Sequence, residues 1–406
     1  MRIAGLEVII VGNPPPGFGG RYFQFVKLTT DDGLVGWGEA YAASVGPEAM
    51  TRVIEDVFDR HLLGRSPFDT EAFFRRALGS GFSHRPDPTV MGAASALEMA
   101  CWDIVGKALY KPVHALLGGK VWDRLRTYTY LYPGPDDDPA AFYNDPEAGA
   151  EQAARLVDQG FTAIKFDPAG PYTPFDGRQP DRAHLERSER FCRLIRQAVG
   201  DRADLLFGTH GQFTPAGAIR LARRLEPFDP LWFEEPVPPL DPEQMARVAR
   251  ATTIPIAAGE RLCTKWEFNR LLRAGGAAIL QMNLGRVGGI LEARKITAMA
   301  EAEGAQIAPH LYCGPIVAAA NAQIALGASN FLILEGIGRW EGFQAELLTR
   351  PFDWEDGHLL PPDGPGLGVE INETVARAHP YDGGRLHLEM TADPFDPARD
   401  GLFGGG

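Results

Sequence analysis

From about residue 124 the chain alternates short apolar runs with stretches whose apolar residues recur every three or four positions. The first pattern is typical of buried strands and the second of amphipathic helices. Eight apolar runs follow one another: RTYTYLY, TAIKFDP, DLLFGTH, LWFEEP, IPIAAGE, AAILQMN, AQIAPH and FLILEG. Eight strands that alternate with helices predict an α/β fold, a (β/α)8 barrel of the TIM type. A doubly wound sheet is the alternative, but no glycine-rich phosphate loop follows any of these strands.

The chain before this alternation has a different pattern. Strand-like runs flank Asp32-Gly33 and predict a hairpin. Two helical patterns follow, EAMTRVIEDVFDRHLL and MGAASALEMACWDIVGKAL. We expect an α+β capping module at residues 1–123, the barrel at 124–345, and a tail at 346–406 that packs on the first module.

Composition narrows the class of protein. With 40 basic and 53 acidic residues the net charge is −13, and no basic stripe is present, so we expect no nucleic-acid partner. No apolar stretch is long enough to span a bilayer and the amino terminus makes a poor secretory signal, so we expect a cytoplasmic protein without a membrane partner. The four cysteines lie far apart without a CxxC pair, which argues against a disulfide framework and a zinc knuckle.

The carboxyl ends of the barrel strands are where an active site is expected. Strands two to eight all end in polar residues, and the candidates are Lys165, Asp167, His210, Glu234, Glu260, Asn283, His310 and Glu335. Because side chains two positions apart on a strand point to the same side, Lys165 and Asp167 should point together. Any one of these residues could be a helix cap or a solvated strand end, but seven polar strand ends in register indicate a common site.

Glu234 and Glu260 are candidate metal ligands. Converging carboxylates repel each other unless a cation joins them, and oxygen ligands suit Mg2+. With a lysine and two histidines nearby, such an ion suits the removal of a weakly acidic proton beside a carboxylate, because it stabilises the enediolate that results.

Several motifs resemble those of the enolase superfamily, specifically acid-sugar dehydratases of its mandelate racemase-like branch, similar to galactonate/galactarate dehydratases: ALEMACWDIVGKALYKPVHALLGG, WFEEPVPP, IPIAAGERL, LQMNLGRVGGI and IAPHLYCGP. The resemblance covers nearly the whole chain. It implies a capping domain built from both termini, a catalytic barrel, and one Mg2+ that binds the substrate carboxylate. Of the three acidic ligands implied for strands three to five, Glu234 and Glu260 match the second and third, and Glu335 matches a glutamate that contacts the substrate carboxylate.

Three strand ends depart from the family pattern. Gly208 stands in place of the first metal-binding aspartate, whereas His210 falls where relatives that dehydrate sugar acids such as galactonate carry a catalytic histidine. Asp167 replaces the second lysine of a Lys-x-Lys motif, which argues against a racemase of that type. Asn283 stands where an aspartate often orients the strand-seven histidine, so we expect an altered proton affinity of His310, in a direction that the sequence does not define.

Two hypotheses complete the site. In the first, His210 is the third metal ligand beside the two glutamates, Mn2+ or Fe2+ become alternatives to Mg2+, and Asp167 or Lys165 removes the proton. In the second, His210 is the general base, and Asp167 or water fills the third metal position. In both, His310 protonates the departing β-hydroxyl and Lys165 neutralises the substrate carboxylate.

The segment VGNPPPGFGGRYF at residues 11–23 has the composition of a mobile loop, and in the family a loop from this region closes over the substrate. The candidate substrate contacts are Arg21, Tyr22, His84, Arg85 and Asn283.

These observations predict a lyase that removes water from an aldonic or aldaric acid and gives a 2-keto-3-deoxy acid. An epimerase, a racemase or a lactone cycloisomerase would use the same intermediate. A barrel that binds a sugar acid without turnover is a further alternative, but two carboxylates retained beside a lysine and two histidines favour an enzyme. By the resemblance, we also expect a homo-oligomer.

Overall fold

The computed structural model describes residues 1–41, 44–134 and 137–396. Its first part is an antiparallel sheet of order β1-β2-β3 (Ile3–Gly12, Tyr22–Thr30, Val35–Ala40), with Asp32-Gly33 at the predicted turn. Helices α1 to α4 (Pro47–His61, Thr70–Gly79, Pro88–Leu109, Val113–Leu116) follow. Helix α3 lies so close to β3 that a Cβ on Gly38 would stand 1.9 Å from the carbonyl oxygen of Ala96. Glycine is therefore required where this helix crosses the sheet.

The second part is a closed parallel barrel. Its strands are β4 to β11 (Leu125–Tyr130, Ala163–Phe166, Asp204–Phe207, Trp232–Glu234, Ile256–Ala258, Ile279–Leu280, Gln306–Ile307, Leu334–Gly336). Each pairs with the next up to β10, β11 pairs with β4, and a bridge between Ile307 and Phe331 closes the remaining side. Each predicted apolar run contains one strand, so the predicted (β/α)8 barrel with an α+β capping module is confirmed.

The barrel helices are α5 to α12 (Pro139–Phe142, Pro146–Asp158, Arg182–Val199, Pro215–Leu225, Pro242–Ala249, Thr264–Ala274, Ile290–Ala302, Pro315–Leu326), and short 3-10 turns follow at Gly200–Arg202 and Glu226–Phe228. Side chains of Asp145, Asp181, Thr214 and Asp241 accept backbone N–H groups at helix starts. These residues satisfy donors that the first helical turn leaves free, so the helix starts are encoded locally.

The tail divides its contacts between the two parts. It contains α13 (Phe343–Glu346), β12 (Trp354–Glu355), β13 (His358–Leu359) and α14 (Glu373–Ala378). Strand β13 pairs antiparallel with the start of β4, on the barrel rather than the first module. It can do so because β4 pairs with β5 only from Thr129 onward, which leaves backbone groups free before that point. Helix α14 lies against β1, where Arg377 contacts Glu7 at 2.7 Å.

All four cysteines are buried and unpaired, as their spacing predicts. Among the described helices, none combines the length and the apolar character needed to cross a membrane.

Candidate active site

A cavity of about 440 Å³ opens at the carboxyl ends of the barrel strands. This volume is in the range of sites for small molecules, about 300–1,000 Å³. The cavity brings together most of the predicted catalytic and metal-binding side chains: Lys165, Asp167, His210, Glu260, His310 and Glu335. Glu234 lies directly below them, fully buried.

Lys165 joins two carboxylates at the bottom of the cavity. Its Nζ lies 2.6 Å from Glu234 Oε1 and 3.3 Å from Glu335 Oε1. Burial would lower the pKa of Lys165, but these carboxylates raise it well above its usual value. Burial raises the pKa of Glu234 to about 7, against the effect of Lys165. The lysine is therefore an ammonium ion, and it supplies positive charge where a substrate carboxylate would enter.

His210 is held by Asp167. Its Nδ1 lies 2.8 Å from Asp167 Oδ2, and its ring packs on Tyr172 at 4.5 Å between centroids. Burial acts to lower the pKa of His210, but the hydrogen bond and charge of Asp167 outweigh it and raise the pKa. Because a carboxylate only accepts, Nδ1 carries the proton. The neutral ring therefore keeps its lone pair on Nε2.

His310 has the opposite arrangement. Asn283 Oδ1 accepts the N–H of Gly285 at 2.9 Å, which leaves the amide Nδ2 to face His310 Nδ1, also at 2.9 Å. An amide nitrogen donates, so the neutral ring accepts at Nδ1 and carries its proton on Nε2, 3.5 Å from Glu260 Oε2. Burial lowers the pKa of His310, and the charges of Glu260 and Glu335 do not reverse this. The sequence left open whether the proton affinity of His310 is raised or lowered, and in the structure its pKa is lowered.

None of the predicted substrate contacts lines the cavity. Arg21 donates to the carbonyl oxygen of Leu386, Tyr22 is buried against Tyr381 and His387, His84 and Arg85 are exposed, and Asn283 lies beneath His310. Arg21 and Tyr22 do not reach the cavity because the end of the tail lies between them and it. His387 packs on Tyr41 and Tyr312, and Leu388 lines the cavity, so this segment lies where the predicted loop would otherwise reach.

Several lining residues were not among the sequence candidates: Tyr41, Tyr130, Tyr132, Tyr143, Asn144, Tyr172, Arg187, Tyr312 and Leu388. Tyr130 and Tyr132 lie at the end of the first barrel strand, so the strand-end rule would have found them. Arg187 lies on helix α7, where a single arginine carries no signal in the sequence pattern.

The chain is similar to known proteins over both of its parts. The family model for the N-terminal domain of mandelate racemase/muconate lactonizing enzymes matches residues 19–118, and the enolase C-terminal domain-like model matches residues 148–375. The chain belongs to the enolase superfamily. A D-galactonate dehydratase of Ralstonia nicotianae is 36% identical over 364 residues, which cover 87% of this chain and 90% of that protein. A D-xylonate dehydratase of Haloferax volcanii is 35% identical over 415 residues, 96% of each chain.

Solved structures of superfamily members are still more similar. A mandelate racemase/muconate lactonizing enzyme from Sulfitobacter sp. superposes with a TM-score of 0.96 at 57% identity, covering 98% of this chain and 100% of that chain. A mandelate racemase/muconate lactonizing enzyme-like protein from Roseovarius sp. TM1035 has a TM-score of 0.96 at 55% identity with the same coverage. The predicted family and the predicted class, a lyase of the dehydratase type, are confirmed.

Members of this superfamily generally use Mg2+. The described residues contain no group of three or more His, Cys, Asp or Glu side chains that could hold a metal ion. However, Glu260 Oε2 is buried without a hydrogen-bond partner, and Glu234 ends the preceding strand. Mg2+ is commonly bound through one or two carboxylates, with water and substrate oxygens as further ligands. Glu260 fits such an ion. Glu234 would offer a second carboxylate, although its Oε1 accepts from Lys165 and its Oε2 from Trp232 Nε1 at 3.1 Å, whereas Gly208 offers no side chain.

Proposed function

We propose that this enzyme dehydrates a sugar acid to a 2-keto-3-deoxy acid by removing the proton next to the carboxylate. The observation that carries the proposal is the pair of histidines in one cavity: His210 with its lone pair on Nε2, and His310 with its proton on Nε2, 3.5 Å from Glu260 Oε2. The names of the relatives, D-galactonate and D-xylonate dehydratase, support a sugar acid as substrate.

His210 is the base in this proposal. Its Nε2 lone pair accepts the proton from C2, and Asp167 stabilises the imidazolium that forms. Of the two sequence hypotheses we favour this one, because an Nε2 that binds a metal ion could not accept a proton. The raised pKa of His210 makes it a stronger base than an ordinary histidine.

His310 is a fixed hydrogen-bond donor rather than the predicted acid. To act as an acid the ring would have to start as an imidazolium, and the second proton, on Nδ1, would face the amide hydrogens of Asn283. We propose that its Nε2–H stabilises the departing hydroxyl as the C3–O bond breaks. The electrons of the C2–H bond form the C2–C3 double bond, the hydroxyl takes the proton from His210 and leaves as water, and the enol tautomerises to the keto acid.

Lys165 and Glu335 position the substrate carboxylate. The ammonium of Lys165 neutralises it, and Glu335 holds the lysine while it accepts the N–H of Leu311 at 2.8 Å. A divalent ion such as Mg2+, held by Glu234 and Glu260, would supply further positive charge against the negative charge that develops on the substrate. The predicted homo-oligomer stays a prediction, which light scattering would test.

The test is incubation of the Mg2+-loaded enzyme with aldonic and aldaric acids, with detection of 2-keto-3-deoxy product and proton NMR in D2O. We expect the wild type to form product from at least one acid. His210→Asn should give neither product nor exchange of the C2 proton, and His310→Gln should lower the rate by about 100-fold or more. His358→Gln, at β13 and outside the cavity, is the matched control. Exchange at C2 without product would contradict dehydration and indicate an epimerase or racemase.

Metal binding has its own readout. Calorimetry on EDTA-treated protein should show one Mg2+ bound per chain, and Glu260→Gln should abolish that binding. Unchanged affinity in the variant would contradict the assigned ligand.

A further inference from the structure

Arg187 is a buried cation that faces the cavity. It lies on α7, is 5% exposed, and lines the same cavity as the two histidines. Its Nε donates to the carbonyl oxygen of Pro168 at 2.8 Å and its Nη1 to Asn144 Oδ1 at 2.7 Å. Two neutral acceptors thus hold the plane of the guanidinium without neutralising its charge.

No carboxylate among the described residues forms an ion pair with Arg187. Burial lowers its pKa, and the charges of Asp167 and Asp181 act only from a distance. Arg261, which is also largely buried, instead contacts Glu235 at 2.6 Å. A buried charge is costly unless it is paired, and no described carboxylate pairs with Arg187, so we expect a bound ligand to supply its partner.

The remaining nitrogen, Nη2, is available for that partner. It makes no hydrogen bond within the described part of the chain and lies next to Gly170, which also lines the cavity. A Cβ at Gly170 would stand 2.9 Å from Nη2, and the φ of this residue is +90°. A side chain here would therefore crowd the guanidinium.

Arg187 and Lys165 provide positive charge at two places in one cavity. Lys165 projects from strand β5, whereas Arg187 is tied to Pro168, beyond the end of that strand. Tyrosines, among them Tyr143 and Tyr172, form the walls of this cavity. A chain of hydroxylated carbons with an anionic group at each end matches this arrangement.

We infer that Arg187 binds a second carboxylate of the substrate, so that the enzyme acts on an aldaric acid, a sugar diacid, in preference to an aldonic acid. This inference rests on the proposed dehydration. Arg187, held by Asn144, recognises the distal carboxylate, and Lys165 recognises the carboxylate next to the reacting carbon.

The experiment compares acids that differ only at the distal carbon: galactarate with galactonate, glucarate with gluconate, and xylarate with xylonate. We expect kcat/KM for the preferred diacid to exceed that of its monoacid at least about 10-fold, as a charge-assisted hydrogen bond implies. In Arg187→Gln, KM for the diacid should rise about 10-fold or more with little change in kcat, while KM for the monoacid stays the same. Arg187→Lys keeps the charge but loses the planar guanidinium that can donate two parallel hydrogen bonds, so its KM for the diacid should lie between those of the wild type and Arg187→Gln.

Arg193→Gln is the matched control, since Arg193 lies on the same helix and is exposed. If Arg187→Gln lowers activity on both acids alike, Arg187 has a structural role and the inference is overturned. It is equally overturned if the wild type uses monoacids as well as diacids.

Binding separates this inference from the proposed function. Calorimetry with His210→Asn, which should bind without turnover, measures the diacid-to-monoacid affinity ratio with and without Arg187→Gln. If no acid yields product, the proposed dehydration fails, while a ratio of about 10 that Arg187→Gln abolishes still supports the diacid site. A ratio near one overturns it.

Discussion

Replacing Asn283 by aspartate should convert His310 from a donor into a base. Asn283 Nδ2 now lies 2.9 Å from His310 Nδ1 and forces the ring proton onto Nε2. A carboxylate has no hydrogen to donate, so in Asn283→Asp the proton should move to Nδ1 and leave the lone pair on Nε2. The new carboxylate would also face the N–H of Gly285, which can still donate to it.

The size of the effect follows from the same distance. Two unit charges 2.9 Å apart attract by about 6 kcal/mol at an effective dielectric constant of about 20. Much of this is lost because the buried carboxylate gives up its hydration, and a hydrogen bond to a charged group contributes about 1.5–3 kcal/mol net. At about 1.4 kcal/mol for each pH unit, the pKa of His310 should rise by about 1–2 from its present lowered value.

Nitrogen-15 NMR of the metal-free protein would show both the tautomer and the pKa of His310. The imidazolium should persist to higher pH in Asn283→Asp. Above the raised pKa, where the neutral ring carries its proton on Nδ1, kcat for dehydration should fall about 100-fold because the Nε2–H donor is lost. Asn283→Leu is the control, since it removes the amide without adding charge and should not raise the pKa. An unchanged tautomer, or faster dehydration by the aspartate variant, would refute this account of His310.

Three further predictions concern the metal, pH and packing. Gly208→Asp should raise Mg2+ affinity about 10-fold or more in calorimetry, because it adds a third carboxylate. The new Cβ would meet nothing closer than 3.3 Å. Unchanged affinity would argue against the two-carboxylate site. Burial raises the pKa of Glu39 from 4.5 to about 7, so the folded state binds this proton more tightly and stability should fall by about 3 kcal/mol as the pH rises from 4.5 through 7. Urea unfolding at pH 4.5 and 8 should show a smaller difference in Glu39→Gln than in the wild type, and an equal difference would contradict this. Gly38→Ala should destabilise the protein by about 1–3 kcal/mol in urea unfolding, since its Cβ would stand 1.9 Å from the oxygen of Ala96. Gly81→Ala is the control, because a Cβ there would have nothing within 4 Å. Equal effects of the two substitutions would refute the packing argument.

The barrel and most of its polar strand ends were predictable because they depend on local periodicity. Apolar runs of four to eight residues that alternate with helical patterns indicate buried strands, and a parallel barrel places the ends of its strands on one face. Lys165 and Asp167 could therefore be placed together, and His210 and His310 added, without any long-range contact. The missing carboxylate at Gly208 was visible only through the resemblance, because the family pattern supplies the aspartate that Gly208 replaces.

The proposed roles of the histidines rest on tertiary contacts. Whether a ring accepts or donates depends on the atom that faces its Nδ1, and this partner comes from a neighbouring strand: a carboxylate for His210 and an amide for His310. The orientation of the amide depends in turn on the N–H of Gly285. A sequence shows which residues are present but not which of their atoms meet.

Only the structure shows that the end of the tail lies over the cavity and that Arg187 lines it without an ion-pair partner among the described residues. The end of the tail has no apolar period, so the position of His387 and Leu388 beside the cavity follows from packing alone. Arg187 is one of several arginines on an amphipathic helix, and only its contact with Pro168, after β5, shows that it lines the cavity. By itself the sequence determined the fold, the family and the polar strand ends, because these depend on short-range pattern and composition. The tertiary structure decided which atom faces each histidine ring and which buried charge has no partner among the described residues, because both depend on contacts between residues far apart in the chain.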